Sequence, residues 1–175
     1  ESTTTQAKKF VASQSILLSL IGIPAIYIHS LLGSRNYAEG VKETGRNRTI
    51  NREKLERDQL EKELTDPTSL RYKIYHQFKD LIKKRRNEPA FHPNGEQTIL
   101  STNQAVFSLV RSYQDQQIIS LHNVSSAEQQ VTVDLVEAGL EQVEELFDIV
   151  EETRVSVTDN KLKLILEPYQ IMWLK

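Results

Sequence analysis

Apolar positions recur at helical spacing over residues 8–21: Phe10, Val11, Gln14, Leu17, Leu18 and Ile21 fall near one face. Gly22 closes that helix. The run Ile23 to Ile28 is rich in β-branched and aromatic side chains and predicts a short, continuously apolar strand of the kind a parallel sheet covers on both faces. Residues 52–64 carry only the thin stripe Leu55, Leu60 and Leu64, which predicts an exposed helix stopped by Pro67. A stronger stripe of Leu70, Ile74, Phe78, Leu81 and Ile82 predicts a helix over about 68–86, opened by Thr65 or Asp66 with Pro67 in its first turn. From Thr98 the period changes to two. Val106, Ser108 and Val110 oppose Phe107, Leu109 and Arg111; a turn at Tyr113–Gln116 leads into Ile118–Asn123; Val131, Val133 and Leu135 follow. Leu162, Leu164 and Leu166 come after a turn at Asp159-Asn160, and Ile171 and Trp173 mark a last strand. Short strands at this spacing predict a small antiparallel sandwich, with the acidic stretch Glu137–Glu152 as loop and strand on its outer rim.

The seam lies near Pro89-Ala90-Phe91-His92-Pro93-Asn94-Gly95, where two prolines and an Asn-Gly pair punctuate the chain. Charge changes at the same place: residues 1–96 carry a net +5 and residues 97–175 a net −7 within a chain of 175 residues and net −2. Two modules are therefore expected. The basic cluster Lys83-Lys84-Arg85-Arg86 ends the predicted helix, where cations favour the negative end of the dipole. With no interleaved aromatics and an acidic module behind it, nucleic-acid binding is not expected. The chain has no cysteine, which removes thiolate metal sites and cysteine nucleophiles and leans towards a reducing, cytoplasmic setting. The apolar run 16–32 is at the short limit for a membrane span and is broken by Gly22 and Pro24, so neither a span nor a signal peptide is expected. One helix and one parallel strand cannot make a sheet. Neighbouring strands must come from other chains or from a longer polypeptide.

Three motifs carry a resemblance. Gly22-Ile23-Pro24-Ala25-Ile26-Tyr27 resembles the final barrel strand of glycoside hydrolase family 13, the α-amylase family. The extension His29-Ser30-Leu31-Leu32-Gly33-Ser34-Arg35-Asn36 and the run Thr44-Gly45-Arg46-Asn47-Arg48-Thr49-Ile50-Asn51-Arg52, with its Arg-x-Ile-Asn-Arg signature, are similar to its sucrose phosphorylase branch, whose relatives act on sucrose 6-phosphate and glucosylglycerate. The tail Leu166–Leu174 resembles the closing strand of the family's C-terminal β domain. The resemblance implies an α+β fragment. Residues 1–92 would be the last helix-strand-helix portion of a (β/α)8 barrel, with its final strand near 23–28 and final helix near 68–86. Residues 97–175 would be a small antiparallel β-sandwich domain.

In that family an Asp nucleophile, a Glu acid/base and a stabilising Asp sit at earlier strand ends, so the resemblance places all three upstream and assigns no catalytic residue here. The residues agree: after Glu1 the first acidic side chain is Glu39, and retaining glycosyl transfer needs two carboxyls about 5–5.5 Å apart. The expectation is a parent enzyme that transfers a glucosyl unit from a sucrose-like glucoside to phosphate, and a 175-residue chain that is inactive alone. Barrel active sites lie at the C-terminal ends of strands, which puts residues 29–52 at the substrate rim. Arg48 corresponds by position to an arginine the phosphorylases use against the glucosyl ring. Arg46 and Arg35 add charge, and His29 is expected as a packed or rim histidine. The bland alternative is a solvated loop, since residues 43–63 hold six basic and six acidic side chains. No metal site or cofactor is expected, because no calcium-loop spacing occurs. The partners implied are an α-glucoside and phosphate, with self-association through exposed barrel edges when the fragment stands alone. Two other readings remain: an amylase-family hydrolase, and an independent carbohydrate-binding sandwich with Trp173 and Tyr169 as a stacking platform, although a terminal-strand aromatic belongs more often to the core.

Overall fold

A computed structural model describes residues 1–140 and 142–175. Helix α1 (Thr3–Ser19) starts on a cap in which Ser2 Oγ accepts from the Thr5 amide at 3.1 Å. A one-turn α2 (Ile28–Leu31), α3 (Ala38–Thr44) and a 3-10 turn over Asn47–Asn51 follow. Helix α4 (Arg57–Thr65) leads to α5 (Leu70–Arg86), which is capped by Ser69. The Asp66-Pro67 opening expected for α5 is instead a separate turn, in which Asp66 Oδ1 accepts from the Thr68 amide at 2.9 Å and its hydroxyl at 2.7 Å. A short 3-10 turn, Pro89–Phe91, ends the helical half.

Eight strands follow: β1 (Glu96–Ile99), β2 (Val106–Tyr113), β3 (Gln116–Asn123), β4 (Gln129–Asp134), β5 (Glu145–Asp148), β6 (Thr153–Ser156), β7 (Lys161–Leu166) and β8 (Ile171–Leu174). They form a six-stranded sheet in the order β1-β2-β3-β8-β5-β6 and a two-stranded β4-β7 ribbon, with antiparallel pairing throughout. Alternation assigns the faces. Ile119, Leu121, Met172 and Leu174 meet Val131, Val133, Leu162 and Leu166 of the ribbon. Ile118, Ile171 and Trp173 point the other way, onto Val11, Leu18, Phe78 and Leu81 of α1 and α5. The six-stranded sheet is thus the middle of three layers, and helices are part of the β module's core. Gly95 marks the seam for a steric reason: a Cβ there would stand 2.7 Å from the Ser112 carbonyl oxygen.

One sequence expectation finds no partner here and another changes. Residues 23–27 take up no regular secondary structure and join no sheet, and Ile28 already opens α2. Ile23 is 83% exposed and Ile28 55%, although both were expected in a buried strand. A parallel strand needs hydrogen-bonding neighbours and cover on both faces, and among the described residues no segment pairs with it. The acidic stretch is likewise not confined to a rim. One of its residues, Glu141, lies outside the described residues. Within the stretch, β5 is an interior strand between β8 and β6, with Leu146 and Asp148 buried. Burial holds the Asp148 carboxyl above the usual carboxylate range, while its Oδ1 accepts from the backbone N–H of Val150 at 3.0 Å and of Trp173 at 3.1 Å.

Candidate functional site

The rim segment is built from residues 27–53 and held from beneath by α4 and α5. Tyr27 OH donates to the Asn51 carbonyl at 2.9 Å, tying the residue before α2 to the 3-10 turn that carries Arg48. The Tyr27 ring lies 5.3 Å from the half-buried His29 ring. His29 Nδ1 is 3.0 Å from Ser34 Oγ, and the Ser34 amide donates back to the His29 carbonyl at 2.8 Å, so residues 29–34 close a tight loop. Gly33 turns that loop at φ +60° and lies flat on α5, where a Cβ would sit 2.8 Å from Ile74 Cδ1.

The middle of the rim is folded on α3. The Tyr37 amide donates to the Ile50 carbonyl at 2.6 Å, Thr44 Oγ1 donates to the Gly40 carbonyl at 2.6 Å and lies 3.0 Å from Thr49 Oγ1, and Gly45 caps α3 at φ +65°. The Tyr37 hydroxyl donates to Glu43 at 3.4 Å, and the negative charge of Glu43 raises its pKa above the usual phenol value.

The sequence-predicted residues occupy different positions around this frame. Arg48 and Arg46 are exposed, and among the described residues neither guanidinium is engaged by a carboxylate. Arg35 turns towards α1, where its Nη2 donates to Gln6 Oε1 at 3.2 Å. His29 is linked to Ser34 rather than to a carboxylate that could make it a general base. The carboxylates near the rim are committed elsewhere: Glu39 to Lys42 at 3.4 Å, Glu43 to Tyr37, and Glu53 and Glu63 to Arg71. Glu63 is held below the usual carboxylate range, first by the Gln59 amide and then by Arg71. The guanidinium groups of Arg46 and Arg48 are therefore charged groups of this segment left facing solvent.

Arg71, a residue the apolar pattern passed over, is the centre of the support. It stands three residues before Ile74 and seven before Phe78, on the buried stripe of α5. Arg85 lies on the same stripe, seven residues beyond Phe78. Its Nε donates to the Leu18 carbonyl at 2.7 Å and its Nη2 to those of Phe91 at 3.0 Å and Gly22 at 3.3 Å. Arg111 of β2 completes the grip on the end of α1, donating to Ser19, Glu96 and His92 carbonyls at 3.1, 3.0 and 2.7 Å. Carbonyls at a helix C-terminus carry the partial negative charge that two guanidinium groups need here, and desolvation lowers the pKa of both arginines. Within the basic cluster, Lys84 also has an internal use, donating to the Ile149 and Val150 carbonyls at 2.7 and 2.9 Å.

The same junction buries Trp173, whose indole N–H donates to Ser19 Oγ at 3.1 Å and whose ring lies 4.8 Å from Phe91. Trp173 is 0% exposed and unavailable for stacking on a sugar. His122 of β3 shares this layer: Ser15 Oγ is 3.1 Å and Ser19 Oγ 3.2 Å from Nε2, and the Phe107 carbonyl is 3.2 Å from Nδ1. Only the neutral tautomer with the proton on Nδ1 lets Nδ1 donate to Phe107 and Nε2 accept from Ser15. Burial lowers the imidazole to about 4. No cluster of three or more His, Cys, Asp or Glu side chains suited to a metal ion occurs among the described residues, and no described helix is long and apolar enough to cross a membrane.

Known proteins resemble the chain in sequence and in fold. Residues 97–173 match the family described as Maltogenic Amylase, C-terminal domain. A glucosylglycerate phosphorylase of Spirochaeta thermophila is 48% identical over 128 residues, 72% of this chain and 22% of that protein. One from Escherichia coli is 38% identical over 168 residues, 95% of this chain and 28% of that protein. The chain thus spans about a quarter of the length of these relatives. Among solved structures, an α-amylase from Geobacillus thermoleovorans complexed with acarbose superposes over 99% of this chain and 33% of its own, with TM-score 0.72 at 18% identity. An Anoxybacillus α-amylase covers 95% of this chain and 32% of its own, with TM-score 0.69 at 21% identity. At that identity the structural likeness speaks for the fold alone.

Proposed function

The chain belongs to the C-terminal part of the sucrose phosphorylase-like branch of glycoside hydrolase family 13, and we propose on that footing that it serves a retaining α-glucoside phosphorylase. The complete enzyme would transfer a glucosyl unit from a sucrose-like glucoside to inorganic phosphate. The observation that carries this reading is 38–48% identity to glucosylglycerate phosphorylases over most of the chain. Residues 1–92 would complete a barrel, with 23–28 as the strand that pairs once its neighbours are present, and 97–175 would brace it from outside. The exposed Ile21, Ile23, Tyr27 and Ile28 support such a cover, which self-association would supply to an isolated chain.

In this reading the rim segment supplies binding rather than bond breaking. Arg48 would donate to two glucosyl hydroxyls or to the phosphate, with Arg46, Arg35 and His29 lining the approach. Catalytic carboxylates would come from the rest of the polypeptide, and the chain alone would be inactive. A carboxyl pushed upward by burial does occur, at Asp148, but it is committed to the backbone N–H groups of Val150, just after β5, and of Trp173 on β8.

The test is release of glucose 1-phosphate by the complete polypeptide from candidate glucosides, glucosylglycerate included. Product formation that rises with phosphate concentration supports the proposal. Glucose release at the same rate without phosphate would replace it with a hydrolase.

A further inference from the structure

The segment that carries Arg35, Arg46 and Arg48 leaves the body of the protein after Leu32 and returns to it at Glu53. Both ends meet one side chain. Arg71, whose side chain is only 15% exposed, donates from Nη1 to the Leu32 carbonyl at 3.0 Å and to Ser34 Oγ at 2.9 Å. Its Nη2 lies 3.8 Å from Glu53 Oε2, and its Nε donates to Glu63 of α4. A single planar guanidinium thus joins the start of the loop, its end, and the helix behind it. A lysine cannot reproduce that fork, because its donors radiate from one point.

The neighbours make the grip specific. Gly33 rests on Ile74, one turn along α5 from Arg71, with no room for a Cβ. Ser34 accepts from Arg71 and is in turn bonded to His29 Nδ1, so the clasp reaches the rim histidine through one hydroxyl. On the other side Glu53 follows directly on the Arg48–Arg52 run, and the Tyr27–Asn51 bond holds the same turn. A cleft of about 350 Å³ lined by Gly33, Arg35, Glu53, Glu63, Ser69 and Arg71 opens beside the clasp.

We propose that Arg71 is the positioning residue of the substrate rim: by clasping Leu32 and Ser34 to Glu53 it sets where His29 and Arg48 stand relative to the bound glucoside. It touches no reacting atom and acts through Ser34 and Glu53. The inference rests on the phosphorolytic reading for its catalytic consequence and on contacts within this chain for the clasp itself.

The experiment uses the complete polypeptide with Arg71→Lys, and Glu53→Gln as a milder variant that removes only the loop-end contact. Amide hydrogen exchange is followed across residues 33–52 and across β3 and β8, together with KM and kcat for the glucoside. For Arg71→Lys, exchange over 33–52 rises about tenfold while β3 and β8 stay unchanged. KM for the glucoside rises about tenfold, more than kcat falls. Glu53→Gln moves both in the same direction by less, and it decides the matter if Arg71→Lys fails to fold. Unchanged exchange over 33–52 in a folded Arg71→Lys overturns the clasp, and raised exchange with unchanged KM overturns its role at the rim. A wild-type enzyme without phosphorolysis would instead count against the proposed reaction, with the exchange result still deciding the clasp.

Discussion

Protonating His122 should destabilise the protein by an amount that can be worked out. The imidazole is buried between α1 and the central sheet, satisfied as the Nδ1–H tautomer, and lowered from about 6.5 to about 4. A group whose folded pKa is depressed leaves stability intact above its unfolded value and loses it as pH falls towards the folded one, because the unfolded chain takes up the proton first. About 2.5 units at 1.36 kcal/mol each correspond to a loss of about 3 kcal/mol between pH 6.5 and pH 4. Asp148 acts in the opposite sense: its raised pKa contributes stability present below the ordinary carboxylate value and lost as pH rises through the folded one. The comparison must therefore be a difference. Urea unfolding of the 175-residue chain, followed by circular dichroism from pH 7 to pH 4, is set against His122→Gln, which accepts from Ser15 but does not titrate. The variant starts less stable at pH 7 by about 1–3 kcal/mol for the altered buried contacts. The wild type then loses about 3 kcal/mol more than the variant on going to pH 4. Parallel curves would refute the argument, since Asp148 and every surface carboxylate are common to both proteins.

Arg48→Ala in the complete enzyme should lower turnover about 10²-fold, as expected for a donor to a reacting substrate, with the thermal midpoint little changed; unaltered kinetics would remove Arg48 from the site. Trp173, the sole tryptophan, should fluoresce as a dry indole, resist iodide quenching and ignore added sugar; Trp173→Phe should cost about 1–3 kcal/mol in urea unfolding through the lost donor to the buried Ser19 Oγ at the end of α1. Gly40→Ala places a Cβ 2.1 Å from Tyr37 Cε1, so that ring must leave its place; about 1–3 kcal/mol of stability should be lost, and protease cleavage between 37 and 50 should accelerate.

The elements that declare themselves in the sequence are those whose physics is local. The stripe Ile74, Phe78, Leu81 marks α5 because residues three and four apart share a helix face whatever lies opposite. The β2-β3 hairpin and the turn at Asp159 and Asn160, both at φ +53°, follow from period-two alternation and from residues that tolerate the left-handed region. The family motifs at 22–27, 48–52 and 166–174 were equally readable. Arg71 and Arg85 could have been suspected from the same helical wheel, since each is a charged residue on an apolar stripe. The wheel does not say what they meet.

Their partners are backbone carbonyls and carboxylates many residues away, and no side-chain pattern encodes a carbonyl. Only the tertiary structure decided that Arg85 and Arg111 close the end of α1 while Arg71 closes the rim loop. The fate of residues 23–27 was decided in the same way. Their composition says strand, but a strand exists by pairing, and among the described residues no neighbour supplies the ladder. β5 shows the converse: an acidic, unpromising stretch becomes an interior strand because β8 and β6 bracket it and Asp148 accepts the Trp173 amide. Sequence by itself determined what each segment prefers. Which preferences were met depended on long-range partners, and those exist only once the chain has folded.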